Sequence, residues 1–307
     1  MVDQPSAGRD EKPTGGGSDV DALDELDQLR AEAQTEDPAR RARALARLAV
    51  GLQDKKRPAE ALEAVEGARV AFCASGDSQG EVLCDRLAAR LLLGLGRPLD
   101  ASKRLAAARR RLLDGSSDPA ELAACEQQLA SALHQLGRLQ DVVGLLVSAR
   151  ELYTKADLLR DAGMCDNDLG VLMARVGDPD RSLEHFEAAR LCLTEPSREL
   201  AVVGFNEATV LWDAGRLEDA GERLREARAA FAAEDAEVEV AWCEQNLGVL
   251  AIASGRLDEA VDHFVEAQDR YRKATAWTAV AWCDANLALV LDALGRRDEA
   301  RARRSPP

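Results

Sequence analysis

Small and large apolar residues return along this chain at helical spacing, and the whole pattern restarts about every forty residues. The dipeptide Gly-Arg punctuates it at Gly96-Arg97, Gly137-Arg138, Gly215-Arg216, Gly255-Arg256 and Gly295-Arg296. Gly177-Asp178 fits the same series, and Lys56-Arg57 is an earlier, degenerate member. Counted from position 56, the intervals are 40, 41, 40, 38, 40 and 40 residues. Seven residues before each marker stands a small residue: Ala49, Ala89, Ala130, Gly170, Ala208, Gly248 and Ala288. Nine residues after it stands a large one: Val65, Leu105, Leu146, Phe186, Leu224 and Phe264. Twelve residues after it, Ala occurs every time: Ala68, Ala108, Ala149, Ala189, Ala227 and Ala267.

This spacing predicts a pair of helices per repeat. The marker glycine closes the first helix, where a left-handed backbone is cheapest for glycine. The segment after it, such as Leu257-Asp258-Glu259-Ala260, opens the second helix with acids in its first turn. Small residues on both helices let the backbones approach, and the large residue fills the space beside them. A lone pair cannot bury its apolar face, so neighbouring pairs must stack. The expected organisation is a disordered tail over 1–18, rich in Gly and Pro, and a capping helix over 19–35 carrying Val20, Leu23, Leu26 and Leu29. Seven helix pairs follow over 37–307, the last cut short after Arg297 to about Arg304.

Composition agrees with an all-α chain. Of 307 residues, 46% are hydrophobic, enough for a sizeable core, while aromatics make up 4% and prolines number 10. The net charge of −15 repels phosphate backbones, so nucleic acid is an unexpected partner. There is no run of apolar residues long enough to span a membrane. Seven cysteines, without paired spacing, do not form a disulfide framework or a zinc site, and the expected location is the cytoplasm.

The stretch Asn246-Leu247-Gly248 … Ser254-Gly255-Arg256-Leu257-Asp258-Glu259-Ala260 … Phe264 … Ala267 resembles a tetratricopeptide repeat. The resemblance covers about 37–307, with a unit near forty residues in place of the common 34. Longer units of this kind resemble those of kinesin light chains and of bacterial regulatory proteins. The resemblance implies a right-handed superhelical solenoid of antiparallel helix pairs. It also implies a protein or peptide partner, bound in the concave groove.

At ~3.6 residues per turn, the residue two before the small one sits ~200° away from it, facing away from the partner helix. Arg47, Leu87, Gln128, Asp168, Asn206, Asn246 and Asn286 occupy that position. An asparagine there holds bound peptide in tetratricopeptide proteins, a role the resemblance gives to Asn206, Asn246 and Asn286; the alternative is that these amides bond neighbouring helices or water. On the same face fall Asn167, His134, Arg175, Trp212 and Trp242, with Arg43, Arg47, Arg86 and Arg90 at the N-terminal end. Such a surface suits an acidic or amphipathic segment. Cys84, Cys125, Cys165, Cys243 and Cys283 keep one register and read as core; Cys73 and Cys192 are expected to do the same. His185 and His263 share a register and read as a repeated surface feature.

No catalytic group, cofactor or metal site is expected. The expectation is a binding scaffold; a regulatory sensor whose curvature responds to ligand and controls an effector is the alternative. The short last pair offers a surface for self-association.

Overall fold

The computed structural model describes residues 17–115, 118–193 and 197–304. The expected tail lies, but for its last two residues, outside the described residues. Fifteen helices and no strand occur among the described residues. Helix α1 spans Gly17–Glu32. Seven pairs follow: α2 Pro38–Asp54 with α3 Pro58–Ser75, α4 Ser78–Gly94 with α5 Pro98–Asp114, and α6 Pro119–Gln135 with α7 Leu139–Lys155. Next come α8 Leu159–Arg175 with α9 Pro179–Cys192, α10 Arg198–Asp213 with α11 Leu217–Ala233, α12 Glu237–Ala253 with α13 Leu257–Lys273, and α14 Trp277–Ala293 with α15 Arg297–Arg304.

The chain forms two compact blocks. One comprises Met1–Ser117 with Gln128–Arg138; the other comprises Asp118–Gln127 with Leu139–Pro307. In the first block α1 lays Leu26 and Leu29 on α2, where Gly51 leaves room for the Leu26 side chain. In both blocks second helices pack on the first helix of their own pair and on that of the next, as α3 does between α2 and α4 and α13 between α12 and α14.

Each marker glycine is left-handed, with φ between 70° and 81° from Gly96 to Gly295. At Gly215 the turn closes by two backbone bonds, Gly215 N to Trp212 O at 2.8 Å and Arg216 N to Leu211 O at 2.8 Å, which satisfy carbonyls the helix end would leave open. Lys56 takes the same left-handed conformation at φ 57° without glycine's freedom. The marker arginine also has a physical reason: it pairs with the acid three residues on, as in Arg97–Asp100, Arg216–Asp219, Arg256–Glu259 and Arg296–Glu299. The second turn type, between pairs, is left-handed at Asp157, Asp235 and Thr275, a role the sequence reading does not assign.

The core explains the small and large registers as matched sizes. Where the small residue is Gly, the large residue is Phe; where it is Ala, the partner is Leu or Val. A methyl group placed on Gly170 would come within 2.8 Å of the Phe186 ring, and one on Gly248 within 2.9 Å of the Phe264 ring. Phe186, Phe264, Leu105 and Val65 are all fully buried. Ser182, a small residue on α9, donates its buried hydroxyl to Gly170 O at 2.7 Å. A further large register lies sixteen residues past the marker: Phe72, Leu112, Tyr153, Leu193, Phe231 and Tyr271, each buried.

Candidate functional site

Eleven residues before the marker the first helices carry an acid in five of seven pairs: Asp85, Glu126, Asp166, Glu244 and Asp284. Four of these are buried, at 1–4% exposure. A buried carboxylate demands compensation, and second helices provide it, for Asp166 and Glu244 from two sides. Asp166 accepts from Arg150 of the preceding pair at 3.1 Å, and lies 2.9 Å from Nδ1 of His185 of its own pair. Glu244 accepts from Arg228 at 2.8 Å and lies 2.6 Å from His263 Nδ1. Asp85 accepts from Arg104 and Arg111, and Asp284 from Arg303. Burial pushes the Glu244 carboxyl up, but the bonds from His263 and Arg228 outweigh it and hold the group below the usual range. His185 and His263 are therefore not free surface features: they are half-buried partners of buried acids. The pair spacing of nineteen residues between acid and His or Arg, repeated at 85–104, 166–185, 244–263 and 284–303, is the signal that reveals this. In α10 the register holds Gly204, and Glu207 one turn later takes over, paired with Arg223 at 3.3 Å and Arg190 at 3.6 Å.

The five register cysteines are buried. Burial pushes the thiols of Cys84, Cys165 and Cys243 up to about 12 and that of Cys283 up to about 11, with neighbouring carboxylates adding to the rise. Cys73 departs from the sequence expectation. It is exposed, and Cys192 is only half-buried; each is one residue off the register of Phe72 and Leu193, which are the side chains turned into the core.

The residues expected on the binding face separate into two sets. In the second block, Gln127, Asn167, Asp168 and Asn206 bond one another. Asn206 donates to Asn167 Oδ1 at 3.0 Å, Asn167 donates to Asp168 at 3.4 Å, and Gln127 donates to the other Asp168 oxygen at 3.5 Å. Tyr153 donates its hydroxyl to Gln127 at 3.4 Å. Asn167 is buried and Asp168 half-buried. Burial raises the Asp168 carboxyl, partly offset by the Gln127 and Asn167 bonds. These amides join neighbouring helices, as the alternative reading of the asparagines has it.

Asn246 and Asn286 behave differently. Each donates to the carbonyl four residues back, Trp242 O at 2.7 Å and Trp282 O at 2.9 Å. No donor among the described residues reaches their Oδ1 atoms. Trp242 and Trp282, one repeat apart, are 45% and 40% exposed. Trp242 leans on Phe205, centroids 6.4 Å apart, and Trp282 and Phe264 form a T-shaped pair, centroids 5.9 Å apart. Trp212 is half-buried beside Leu211 and Leu217, and Arg175 ends α8 exposed.

In the first block, Arg47, Arg86, Arg90 and Gln128 line a cleft of about 300 Å³ floored by Ala46, Val50, Leu83 and Leu87. His134 lies on the same α6 helix, half-buried. The structure thus brings the three arginines together with Gln128, and Trp242 with Asn246.

Residues 199–273, spanning the α10–α11 and α12–α13 pairs, match the tetratricopeptide repeat profile. These pairs are tetratricopeptide repeats. The rest of the chain shares their tetratricopeptide-like fold, as solved structures show. The quorum sensor NprR of B. thuringiensis in its apo form superposes with a TM-score of 0.72 at 14% identity, over 94% of this chain and 81% of that one. A tetratricopeptide-sensor STAND protein of Pyrococcus horikoshii gives 0.73 at 14%, over 90% of this chain and 42% of that one. BtubC of P. vanneervenii gives 0.60 at 21%, over 70% and 90%. At such identities the likeness concerns the tetratricopeptide fold alone. No curated protein matches the sequence. Among the described residues, no helix is long and apolar enough to cross a membrane.

Proposed function

We propose that this chain is a protein- and peptide-binding scaffold that presents its ligand surface on the first helices of the repeats. The observation that carries the reading is the pair Trp242 and Trp282. Both are exposed in one register, and each has an asparagine one turn further on whose Oδ1 meets no donor among the described residues. Large exposed aromatics in a row are costly to leave in water and typical of contact surfaces. The Asn oxygens can accept from a peptide N–H laid across the helices.

The reading includes no catalytic step. The buried thiols are pushed far above neutral pH and are poor nucleophiles. His185 and His263 are engaged with carboxylates. It includes no nucleic-acid partner, given the net charge of −15. Seven cysteines with no disulfide among the described residues favour the cytoplasm.

The test is affinity capture followed by mass spectrometry, with the chain against its Asn246→Ala/Asn286→Ala variant at matched helicity. Recovery of the bound partner is expected to fall at least about tenfold, about 1.4 kcal/mol of binding. Equal recovery with both chains removes the assignment.

A second reading, a regulatory sensor, has support in the fold shared with a quorum sensor and with a tetratricopeptide sensor. A sensor must bind its ligand with different affinity in two conformations. Small-angle scattering of the chain with and without a captured peptide separates the two: a changed scattering profile fits the sensor, an unchanged one the scaffold.

A further inference from the structure

The arginine cleft of the first block differs in kind from every other basic site described above. Arg57, Arg97, Arg104, Arg111, Arg228 and Arg256 all face carboxylates, most of them closely. In the cleft, Arg86 Nε donates only to the neutral amide of Gln128 at 3.2 Å, and Arg90 only to that of Gln53 at 3.5 Å, among the described residues. Arg47 has a single acid, Glu32, at a stretched 3.7 Å with both side chains well exposed. Such a pair contributes little. No acid lines the cleft, in a chain with 55 acidic residues against 40 basic ones.

Arg86 and Arg90 on α4, without a carboxylate partner among the described residues, and the weakly paired Arg47 on α2 leave an excess of positive charge. The floor beneath them is aliphatic: Val50 and Leu83 are 47% and 53% exposed. Guanidinium forks match carboxylates in pairs of parallel bonds, and an exposed aliphatic floor takes a leucine-sized side chain. No aromatic residue lines the cleft to stack a base, and stacking is what single-stranded nucleic acid requires.

We infer that this cleft is a docking site for an acidic peptide segment, with Arg47, Arg86 and Arg90 holding its carboxylates and Val50 and Leu83 an aliphatic anchor. The inference rests on the scaffold reading and gives it a ligand chemistry at residues other than Trp242 and Trp282. Binding is steered by charge, so it weakens with salt.

The test is fluorescence anisotropy with a labelled peptide in which Glu and Leu alternate, titrated with the full chain. Its Gln-for-Glu counterpart and a labelled single-stranded oligonucleotide serve as comparisons. The acidic peptide is expected to bind, with the Gln version at least about tenfold weaker. Arg86→Gln/Arg90→Gln should weaken it by a similar factor, and Val50→Asp, at an exposed site that folding does not need, should do so independently. Arg97→Gln, which removes a charge from a distant turn, should leave the affinity in place. The inference is overturned if the acidic peptide fails to bind at low salt, if the Gln version binds equally, if the cleft variants retain affinity, or if the oligonucleotide binds as tightly. Because the cleft variants leave α12 and α14 untouched, failure here is distinct from failure of the Asn246 and Asn286 experiment.

Discussion

Replacing Phe264 by alanine is expected to lower stability by about 3–5 kcal/mol, the cost of emptying a fully buried aromatic site. The ring is buried against Gly248 and meets the Trp282 ring in a T-shaped arrangement, centroids 5.9 Å apart, so its removal opens a hole at the junction of three helices. The reverse error is also costly. Gly248→Ala puts a methyl group within 2.9 Å of the ring, and overpacking of this kind costs about 1–3 kcal/mol. The combination Gly248→Ala/Phe264→Leu should be less damaging than the sum of its parts, because it recreates the Ala-with-Leu match of Ala208 and Leu224. A double-mutant cycle in urea measures the coupling, which is expected to be favourable by about 1–3 kcal/mol. Strict additivity would mean that the two positions do not set each other's size.

The second large effect concerns the sign of a pH dependence. In the native chain the Glu244 carboxyl is held below its usual range by His263 and Arg228. Its contribution is fully present above the unfolded-state pKa, about 4.3, and is lost as pH falls through the lower folded value. Arg228→Met/His263→Leu leaves burial as the dominant influence, and burial raises the carboxyl. The folded pKa then lies above the unfolded one, and stability must fall as pH rises from about 4.3 through the raised value. At neutral pH the variant is expected to lose about 3 kcal/mol, the low end for stranding a buried charge, since Arg228 is partly exposed. Urea midpoints of both chains across the acid range decide the matter: a variant whose deficit against the unsubstituted chain does not grow with rising pH would refute the burial argument.

Local features of the fold were legible in the sequence because they repeat at fixed spacing and act over short range. The left-handed glycines, the small-residue registers and the second-helix starts follow from backbone sterics at single positions. The buried acids were not read, although Asp85, Glu126, Asp166, Glu244 and Asp284 share a register as visible as that of the cysteines beside them. A charged residue is taken for a solvated one until its partners are found, and those lie on other helices. The fate of the asparagines was half legible. Rotation about the helix axis gives a direction, but not the neighbour that waits there. Asn206 meets Asn167 from the first helix of the preceding pair, whereas Asn246 and Asn286 turn back on their own backbone.

The size matching of small and large residues falls inside each helix pair: Gly with Phe, Ala with Leu. One kind of bond recurs from a pair to the next, an arginine reaching the acid of its neighbour, as Arg150 reaches Asp166 and Arg228 reaches Glu244. Size selectivity is thus kept within the cassette, and one coupling between cassettes recurs. A gene built this way can gain, lose or shuffle whole segments of about forty codons, because a duplicated segment arrives with its own steric partner and finds a compatible neighbour on either side.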